Sequence, residues 1–271
     1  MDQNENLPEN RMKNLLKMFG LSTFKSDVQK KAVEAVMEGV SDTFVRMPTG
    51  SGKSLVFQLP AASEATRVTI VVSPLLALIT DQLKKLTENK IPADTLNSKM
   101  NFGDRARVLN DLNSKSPTIK LLYVTPEMCS TARFRTLLKT LVKNGTLARI
   151  VIDEAHTVDQ WGDFRADYRK LGDLRKLTFN VQWVALTATA STTQEATIKL
   201  ILKFRDGSLR FSLPCFRDNL FYDVSFKHAK DVSKDCVEEN NLYILTIFWL
   251  HNFIRTNWLG TQPEYKVKVC Y

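Results

Sequence analysis

Thr43–Ser54 reads TFVRMPTGSGKS and decides the fold of this 271-residue chain. The short apolar run at 43–47 predicts a β-strand, and the stretch at 53–62 predicts a helix. Glycines in the turn between them let backbone N–H groups close around phosphate oxygens. A flexible Gly/Ser turn without a ligand is the alternative, but the strand–turn–helix setting favours a phosphate-binding loop.

The turn supplies the residues expected to bind a nucleotide. Lys53 carries a positive charge suited to the β- and γ-phosphates, and the Ser54 hydroxyl is suited to Mg²⁺. The strict form of this pattern has a further glycine at position 47, where this chain has Met47. We therefore predict that the chain binds ATP and Mg²⁺. The predicted nucleotide-binding residues of the turn are Thr49, Gly50, Ser51, Gly52, Lys53 and Ser54.

The alternation of short β-branched runs with longer amphipathic stretches extends from about Arg11 to Asp206. The apolar runs are nearly continuous, which is typical of parallel strands covered on both faces. We therefore predict an α/β fold with a doubly wound, mostly parallel sheet and a ligand at the carboxyl ends of its strands. The other predicted strands are 68–73, 120–124, 148–152 and 181–186, and the other predicted helices are 28–38, 77–88, 104–112, 132–143 and 193–202.

A second motif, Asp153-Glu154-Ala155-His156, directly follows an apolar run. A carboxylate at the end of a strand can hold Mg²⁺, and an adjacent glutamate can accept a proton from an attacking water. The alternative is a solvated helix start, where acidic residues are favoured. The phosphate loop earlier in the chain favours the catalytic interpretation, with Asp153 as the Mg²⁺ ligand and Glu154 as the base.

Weaker signals lie at the ends of other predicted strands. Thr187 and Thr189 in ALTATA can link a nucleotide site to bound nucleic acid through hydrogen bonds, or one of Thr189 and Ser191 can cap the next helix. The tripeptides that begin at Ser73 and Thr125 can offer hydroxyl and N–H groups to DNA phosphates. Both are also ordinary turns after a strand.

An aromatic-rich segment follows the second motif and reads Trp161-Gly162-Asp163-Phe164-Arg165. Aromatic and arginine side chains on a loop beside an ATP site are suited to stacking on single-stranded bases. A small apolar cluster beneath a loop is the alternative. We predict that Trp161, Phe164 and Arg165 bind DNA.

Composition supports a nucleic-acid partner without requiring one. The net charge is +9 and the pI about 9.3, which favours polyanionic partners. The four cysteines form no C-x-x-C pair, so neither a zinc site nor a disulfide framework is indicated. The apolar run Leu242–Ile254 is shorter than the roughly 20 residues of a membrane span. We expect no membrane association, and a reducing compartment such as the cytosol or nucleus.

In order, these motifs resemble the RecQ family of superfamily-two helicases. The resemblance also includes VVSPLLALITDQ at 71–82 and Phe216-Arg217-Asp218-Asn219-Leu220, which is similar to the family's junction into its second motor domain. It implies a RecA-like P-loop NTPase domain in residues 1–226 and ATP-driven 3′-to-5′ translocation on single-stranded DNA. It also implies that Gln29 recognises adenine, although a lone glutamine on a helix is usually solvated.

The resemblance carries further expectations about roles and partners. Lys53, Asp153 and Glu154 are expected to be catalytic, while Ser54 and Asp153 hold Mg²⁺. His156, Thr187 and Thr189 are expected to couple the nucleotide site to DNA. The expected partners are single-stranded or forked DNA and, as candidates, a full-length helicase or other repair proteins. The implied setting is DNA repair or recombination in the nucleus.

Two departures from the family pattern matter. The family's aromatic-rich loop usually reads W-G-H-D-F-R, and this chain lacks the histidine after Gly162. Nothing after Phe226 resembles the second motor domain, and no Q-x-x-G-R-x-G-R segment occurs in the 271 residues. We therefore expect 227–271 to be a divergent tail and this form to unwind DNA poorly or not at all. The alternatives are a regulatory binding product and a P-loop ATPase of another class.

Overall fold

The computed structural model divides the chain into two compact units, Met1–Cys215 and Phe216–Tyr271. The described residues are 8–158, 168, 170–214, 221–226 and 265–270. In the second unit, β8 (Phe221–Phe226) pairs antiparallel with β9 (Tyr265–Cys270). The apolar run Leu242–Ile254 lies outside the described residues. Among the described helices, none has the length and apolar character that crossing a membrane requires.

Strands and helices alternate along the first unit. Its strands are β1 (Thr43–Arg46), β2 (Val68–Val72), β3 (Ala93–Leu96), β4 (Leu121–Val124), β5 (Leu147–Ile152), β6 (Gln182–Thr187) and β7 (Leu209–Ser212). Its described α-helices are α1 (Pro8–Met18), α2 (Asp27–Glu38), α3 (Leu55–Ala62), α4 (Leu76–Glu88), α5 (Phe102–Asn113), α6 (Pro126–Ser130), α7 (Ala132–Asn144) and α8 (Thr192–Ile201). Two 3₁₀ segments, Ala155–Val158 and Leu171–Leu177, complete the described elements.

The strands of the first unit form one parallel sheet in the order β3-β4-β2-β5-β6-β1-β7. Val72, at the end of β2, is in register with Val124 of β4 and Ile152 of β5. Arg46, at the end of β1, is in register with Thr187 of β6. Since neighbouring strands lie about 4.8 Å apart, the segments that leave these strands share one edge of the sheet.

Apolar residues of the sheet alternate between two cores. Phe44, Ile70 and Trp183 belong to the core that includes α5, α7 and α8. Val45 and Val71, each one residue further along its strand, belong to the core that includes α1 to α4. The period of two along each strand therefore places apolar side chains on both faces, which is why the strands read as continuous apolar runs.

The predicted α/β fold is confirmed. The predicted strands agree with β1, β2, β4, β5 and β6 to within one residue at each end. Among the described α-helices and strands of the first unit, those not predicted are α1, β3, α6 and β7. The predicted helix at 53–62 begins two residues later, at Leu55, so Lys53 and Ser54 belong to the turn that leads into α3.

Candidate nucleotide site

The glycine-rich turn leaves β1 at the carboxyl edge of the sheet and enters α3. Gly50 and Gly52 have φ angles of 85° and 82°, in the left-handed region that side chains with a Cβ rarely adopt. The Ser51 hydroxyl donates to the Pro48 carbonyl at 2.6 Å. Met47 is fully buried, so the residue that replaces the strict-pattern glycine packs into the core.

Gln29 holds the turn from the side of α2. Its Nε2 donates to the Gly52 carbonyl at 2.9 Å, and its Oε1 accepts from the Lys25 N–H at 2.7 Å. The Lys25 ammonium donates to the Gly50 carbonyl at 2.7 Å. Gln29 is only 1% exposed, which excludes the solvated alternative. Its role in adenine recognition stays a prediction.

The two motifs predicted to be catalytic meet in space. Lys53 Nζ donates to Glu154 Oε1 at 3.2 Å, although the residues lie 101 positions apart in the sequence. The Lys53 side chain is 11% exposed and the Glu154 side chain 27% exposed, so the ion pair is partly shielded from water. The arrangement places a cation and a carboxylate at the carboxyl ends of β1 and β5, where an α/β sheet binds its ligand.

Asp153 lies beside this ion pair and is nearly buried, at 7% exposure. Burial, and next the adjacent Glu154 carboxylate, raise the pKa of Asp153 to about 6, while Lys53 acts in the opposite direction. A buried carboxylate with a raised pKa is incompletely compensated by its surroundings. A cation placed beside Asp153 would relieve this unfavourable charge.

The donors fit Mg²⁺ better than a metal held by protein ligands alone. Among the described residues, no group of three or more His, Cys, Asp or Glu side chains could hold a metal ion. Mg²⁺ typically takes one or two protein oxygens and completes its shell with water and phosphate oxygens. Asp153 and the Ser54 hydroxyl are oxygen donors of that kind.

Glu154 and His156 connect this site to the end of β6. Glu154 has a φ of 48°, an uncommon conformation for a residue other than glycine. His156 Nδ1 lies 3.3 Å from Glu154 Oε2 and 3.1 Å from Thr187 Oγ1. The Thr187 hydroxyl also contacts the Thr189 carbonyl at 2.9 Å. Which of His156 and Thr187 donates in their contact depends on the tautomer of the imidazole.

The predicted coupling residues His156, Thr187 and Thr189 are thus brought together, and Thr189 returns an N–H to Thr187 Oγ1 at 3.2 Å. The helix cap proposed as the alternative is present as well, at Ser191. The Ser191 side chain accepts from the Gln194 N–H, and the Gln194 side chain accepts from the Ser191 N–H. The ALTATA segment therefore carries both a hydrogen-bonded turn and the start of α8.

The two candidate DNA-phosphate turns differ from expectation in their hydroxyl groups. Ser73 is 1% exposed, and its Oγ is buried with no hydrogen-bond partner among the described residues, so it does not offer the hydroxyl at the surface. Thr125 Oγ1 accepts from the Met128 N–H at 3.5 Å and caps α6. The hydroxyl of Thr125 is therefore explained by its role as the cap of α6, the alternative to a contact with DNA phosphate.

A polar chain that the sequence did not reveal extends from Ser54 into the core. Gln82 Nε2 donates to Ser54 Oγ at 3.3 Å, and Gln82 Oε1 accepts from Gln58 Nε2 at 2.6 Å. Gln58 Nε2 also donates to Tyr123 Oη at 3.3 Å. Tyr123 is fully buried, and burial, with a smaller effect of the Asp153 carboxylate, raises its pKa. The predicted DNA-binding residues Trp161, Phe164 and Arg165 lie outside the described residues.

Similarity to known proteins agrees with this geometry. The model of the DEAD/DEAH box helicase family matches residues 26–197, a segment that contains Gln29, the phosphate loop, the DEAH motif and ALTATA. The chain belongs to the DEAD/DEAH box helicases. As a member of that family, this helicase chain has the RecA-like P-loop fold that its motifs predicted.

Individual relatives show which group of helicases the chain resembles. This helicase chain is 48% identical to the ATP-dependent DNA helicase Q5 of Mus musculus, over 81% of this chain and 22% of that protein. It is 44% identical to the RecQ-like DNA helicase BLM of Xenopus laevis, over 86% of this chain and 17% of that protein. The predicted relationship to RecQ-type DNA helicases is confirmed. The chain spans about a fifth of the length of these relatives.

Solved structures support the helicase fold. The DUF1998 helicase MrfA aligns with a TM-score of 0.60 and 22% identity, over 79% of this chain and 33% of that one. The DEAD-box helicase Mss116, bound to ssRNA and UDP-BeF, aligns with a TM-score of 0.57 and 17% identity, over 78% of this chain and 44% of that one. Both likenesses concern the fold alone.

Proposed function

We propose that this chain carries the first motor domain of a RecQ-like, ATP-dependent 3′-to-5′ DNA helicase. The observation that carries the proposal is the Lys53–Glu154 contact of 3.2 Å with Asp153 buried beside it. We assign residues 1–226 to the ATP-binding domain and 227–271 to a divergent tail. This assignment rests on the motif order and on relatives that match about four fifths of the chain.

Nucleotide binding changes the partner of Lys53. The ammonium now bound to Glu154 moves to the β- and γ-phosphates, while the turn N–H groups surround the phosphate oxygens. Ser54 and Asp153 would hold Mg²⁺, which would supply positive charge that stabilises the reacting phosphate oxygens. The raised pKa of Asp153 supports this assignment, because a nearby cation stabilises the ionised carboxylate.

Release from Lys53 leaves Glu154 as the catalytic base. Its carboxylate then accepts a proton from the water that attacks the γ-phosphate. His156 keeps Glu154 oriented through the contact of 3.3 Å to Oε2, and the chain through Thr187 to Thr189 links this base to the end of β6. We propose that this chain of contacts transmits the state of the nucleotide site toward bound DNA.

The proposed partner is single-stranded or forked DNA. The relatives are named as DNA helicases, and the net charge of +9 is suited to a polyanion. We propose that Trp161 and Phe164 stack on unpaired bases and that Arg165 contributes to the same binding. We further propose a nuclear role in DNA repair or recombination, with a full-length helicase or other repair proteins as candidate partners.

ATP hydrolysis measured with and without single-stranded DNA tests the proposal. We expect wild-type turnover, however slow, to rise with DNA, and Lys53→Ala to abolish nucleotide binding in a calorimetric titration. Lys30→Ala is the matched control, since the Lys30 side chain on α2 is exposed and forms an ion pair with Glu34 of the same helix. Unchanged affinity in Lys53→Ala would refute the site. Binding without turnover would favour a regulatory product, and DNA-independent turnover another class of ATPase.

A further inference from the structure

The polar chain from Ser54 to Tyr123 is continuous, with Gln82 and Gln58 between its two ends. Gln58 Nε2 uses its two N–H groups on Gln82 Oε1 and Tyr123 Oη, at 2.6 and 3.3 Å. Gln82 then presents Nε2 to Ser54 Oγ at 3.3 Å. Turning both amides by 180° together reverses every donor and acceptor but keeps the same three contacts. In either direction of donation, Gln82 holds the Ser54 hydroxyl.

This contact fixes the orientation of the Ser54 hydroxyl. A serine hydroxyl has one proton and two lone pairs, and the contact with Gln82 engages one of these three. The other two are then directed away from Gln82. Ser54 is the residue that the proposed function assigns to Mg²⁺, so the contact with Gln82 determines where the lone pairs available to a metal ion point.

The polar chain also connects the Ser54 hydroxyl to two segments at the carboxyl edge of the sheet. Gln82 lies on α4, which begins directly after the turn that leaves β2, and Tyr123 precedes the last residue of β4. The ends of β2 and β4 are in register, Val72 with Val124. A shift of either segment would therefore alter the position of the Gln82 amide and, through it, the Ser54 hydroxyl.

We propose that Gln82 is a positioning residue that orients Ser54 for the Mg²⁺-nucleotide and couples this orientation to bound DNA through the segments that carry Gln82 and Tyr123. The inference rests on the proposed function and adds a path of regulation between its two ligands. A purely structural bond between α3 and α4 is the competing explanation. The two differ in whether the effect of Gln82 depends on Ser54 and on Mg²⁺.

The first test measures binding of a fluorescent ADP analogue to the full 271-residue chain, with Mg²⁺ and with EDTA. Gln82→Met keeps the side-chain length but removes both hydrogen bonds, and we expect about 3- to 10-fold weaker binding with Mg²⁺ and unchanged binding in EDTA. In a Ser54→Ala background, Gln82→Met should have no further effect, because its target oxygen is gone. Glu88→Gln, an exposed substitution at the other end of α4, is the control and should match wild type.

The second test measures the affinity for labelled oligo-dT with and without the Mg²⁺-bound analogue. Coupling between the two ligands is reciprocal, so the ratio of the two affinities should approach one in Gln82→Met. Gln82→Asn, which keeps the amide but is one methylene shorter, should give intermediate values and replaces Gln82→Met if that variant does not fold. Additive effects of Ser54→Ala and Gln82→Met, or an equal loss in EDTA, would overturn the inference alone. Absence of Mg²⁺-dependent binding in wild type would overturn the proposed function and the inference together.

Discussion

Asp153, a predicted site residue, lowers the stability of the domain that holds it when its carboxyl group is ionised. Its carboxyl group has a pKa of about 6, compared with an ordinary value of 3.8, because burial disfavours the ionised form. Folding therefore favours the protonated form, so this group's contribution to stability is present below about pH 4 and is lost as the pH rises through 6. At neutral pH the ionised carboxylate costs about 3 kcal/mol, since each pKa unit corresponds to about 1.4 kcal/mol.

We accordingly expect Asp153→Asn to stabilise the nucleotide-free chain at pH 8 by about 2–3 kcal/mol, while weakening the Mg²⁺-dependent part of nucleotide binding. The asparagine Oδ1 still accepts the Glu154 N–H, which Asp153 accepts at 3.0 Å. Urea unfolding at several pH values provides the measurement. The gain should fall to about half at pH 5 and to about a fifth at pH 4. Asp206→Asn, at an exposed position, is the control; a gain independent of pH would contradict the assigned cause.

The sequence could reveal only those site residues that lie in short contiguous motifs. Lys53, Asp153 and Glu154 lie in short motifs with a strand before each, so their chemistry and their position at the sheet edge could be predicted together. Gln58, Gln82 and Tyr123 come from three elements, and Tyr123 stands inside the apolar run LLYV. Only the packing of α3 and α4 against β4 brings these polar groups within hydrogen-bond distance.

At the scale of elements, two glycines with similar backbone conformations allow the effect of backbone strain to be distinguished from an effect on the nucleotide site. Gly39 caps α2 with a φ of 72°, and Gly52 lies in the phosphate loop with a φ of 82°. A Cβ at Gly39 would meet no atom within 4 Å, whereas a Cβ at Gly52 would clash with Gln29 Nε2. Each Gly→Ala change therefore costs about 1–2 kcal/mol of left-handed strain, and only Gly52→Ala also displaces Gln29.

We expect Gly39→Ala to lower the free energy of unfolding by about 1 kcal/mol and to leave nucleotide affinity unchanged. Gly52→Ala should lower stability by a similar amount and weaken nucleotide binding at least tenfold, because the loop loses the contact that Gln29 makes with it. Thermal unfolding and calorimetry on the two variants provide the comparison. Equal nucleotide affinity in both would show that the clash with Gln29 has no effect on the site.

The elements that sequence patterns missed share a physical cause. β3 reads ADTL and β7 reads LRFS, and both are four-residue strands at the edges of the sheet. An edge strand has a neighbour on one side only, and polar residues are tolerated there, so no continuous apolar run forms. The inner strands are covered on both faces by helices and were predicted to within one residue. The burial of these inner strands, more than strand propensity, made them predictable from the sequence.

At the scale of the whole molecule, the site supplies only part of what rapid hydrolysis requires. Negative charge that develops on the γ-phosphoryl group must be compensated in the transition state. In the proposed function, Lys53 and the Mg²⁺ that Ser54 and Asp153 would hold supply compensation from one side of the nucleotide. In two-domain motors an arginine from the second domain supplies another part, and such arginines contribute about 10³- to 10⁵-fold to the rate in related enzymes. The 271 residues contain no glycine-rich, arginine-bearing segment of that kind.

We therefore expect the purified 271-residue polypeptide, as a monomer, to hydrolyse ATP very slowly and to separate no strands of a forked duplex. The same preparation should still bind Mg²⁺-ATP, because Lys53, Ser54 and Asp153 belong to this domain. We therefore expect nucleotide binding without appreciable turnover. Calorimetry gives the binding, a phosphate-release assay the turnover, and a fluorescent forked substrate the unwinding, with light scattering to establish the monomer. Adding the second motor domain of a relative as a separate polypeptide serves as the positive control. An arginine that this domain places against the bound nucleotide would raise turnover. Robust ATP-dependent unwinding by the monomer alone would show that an arginine within these 271 residues completes the site.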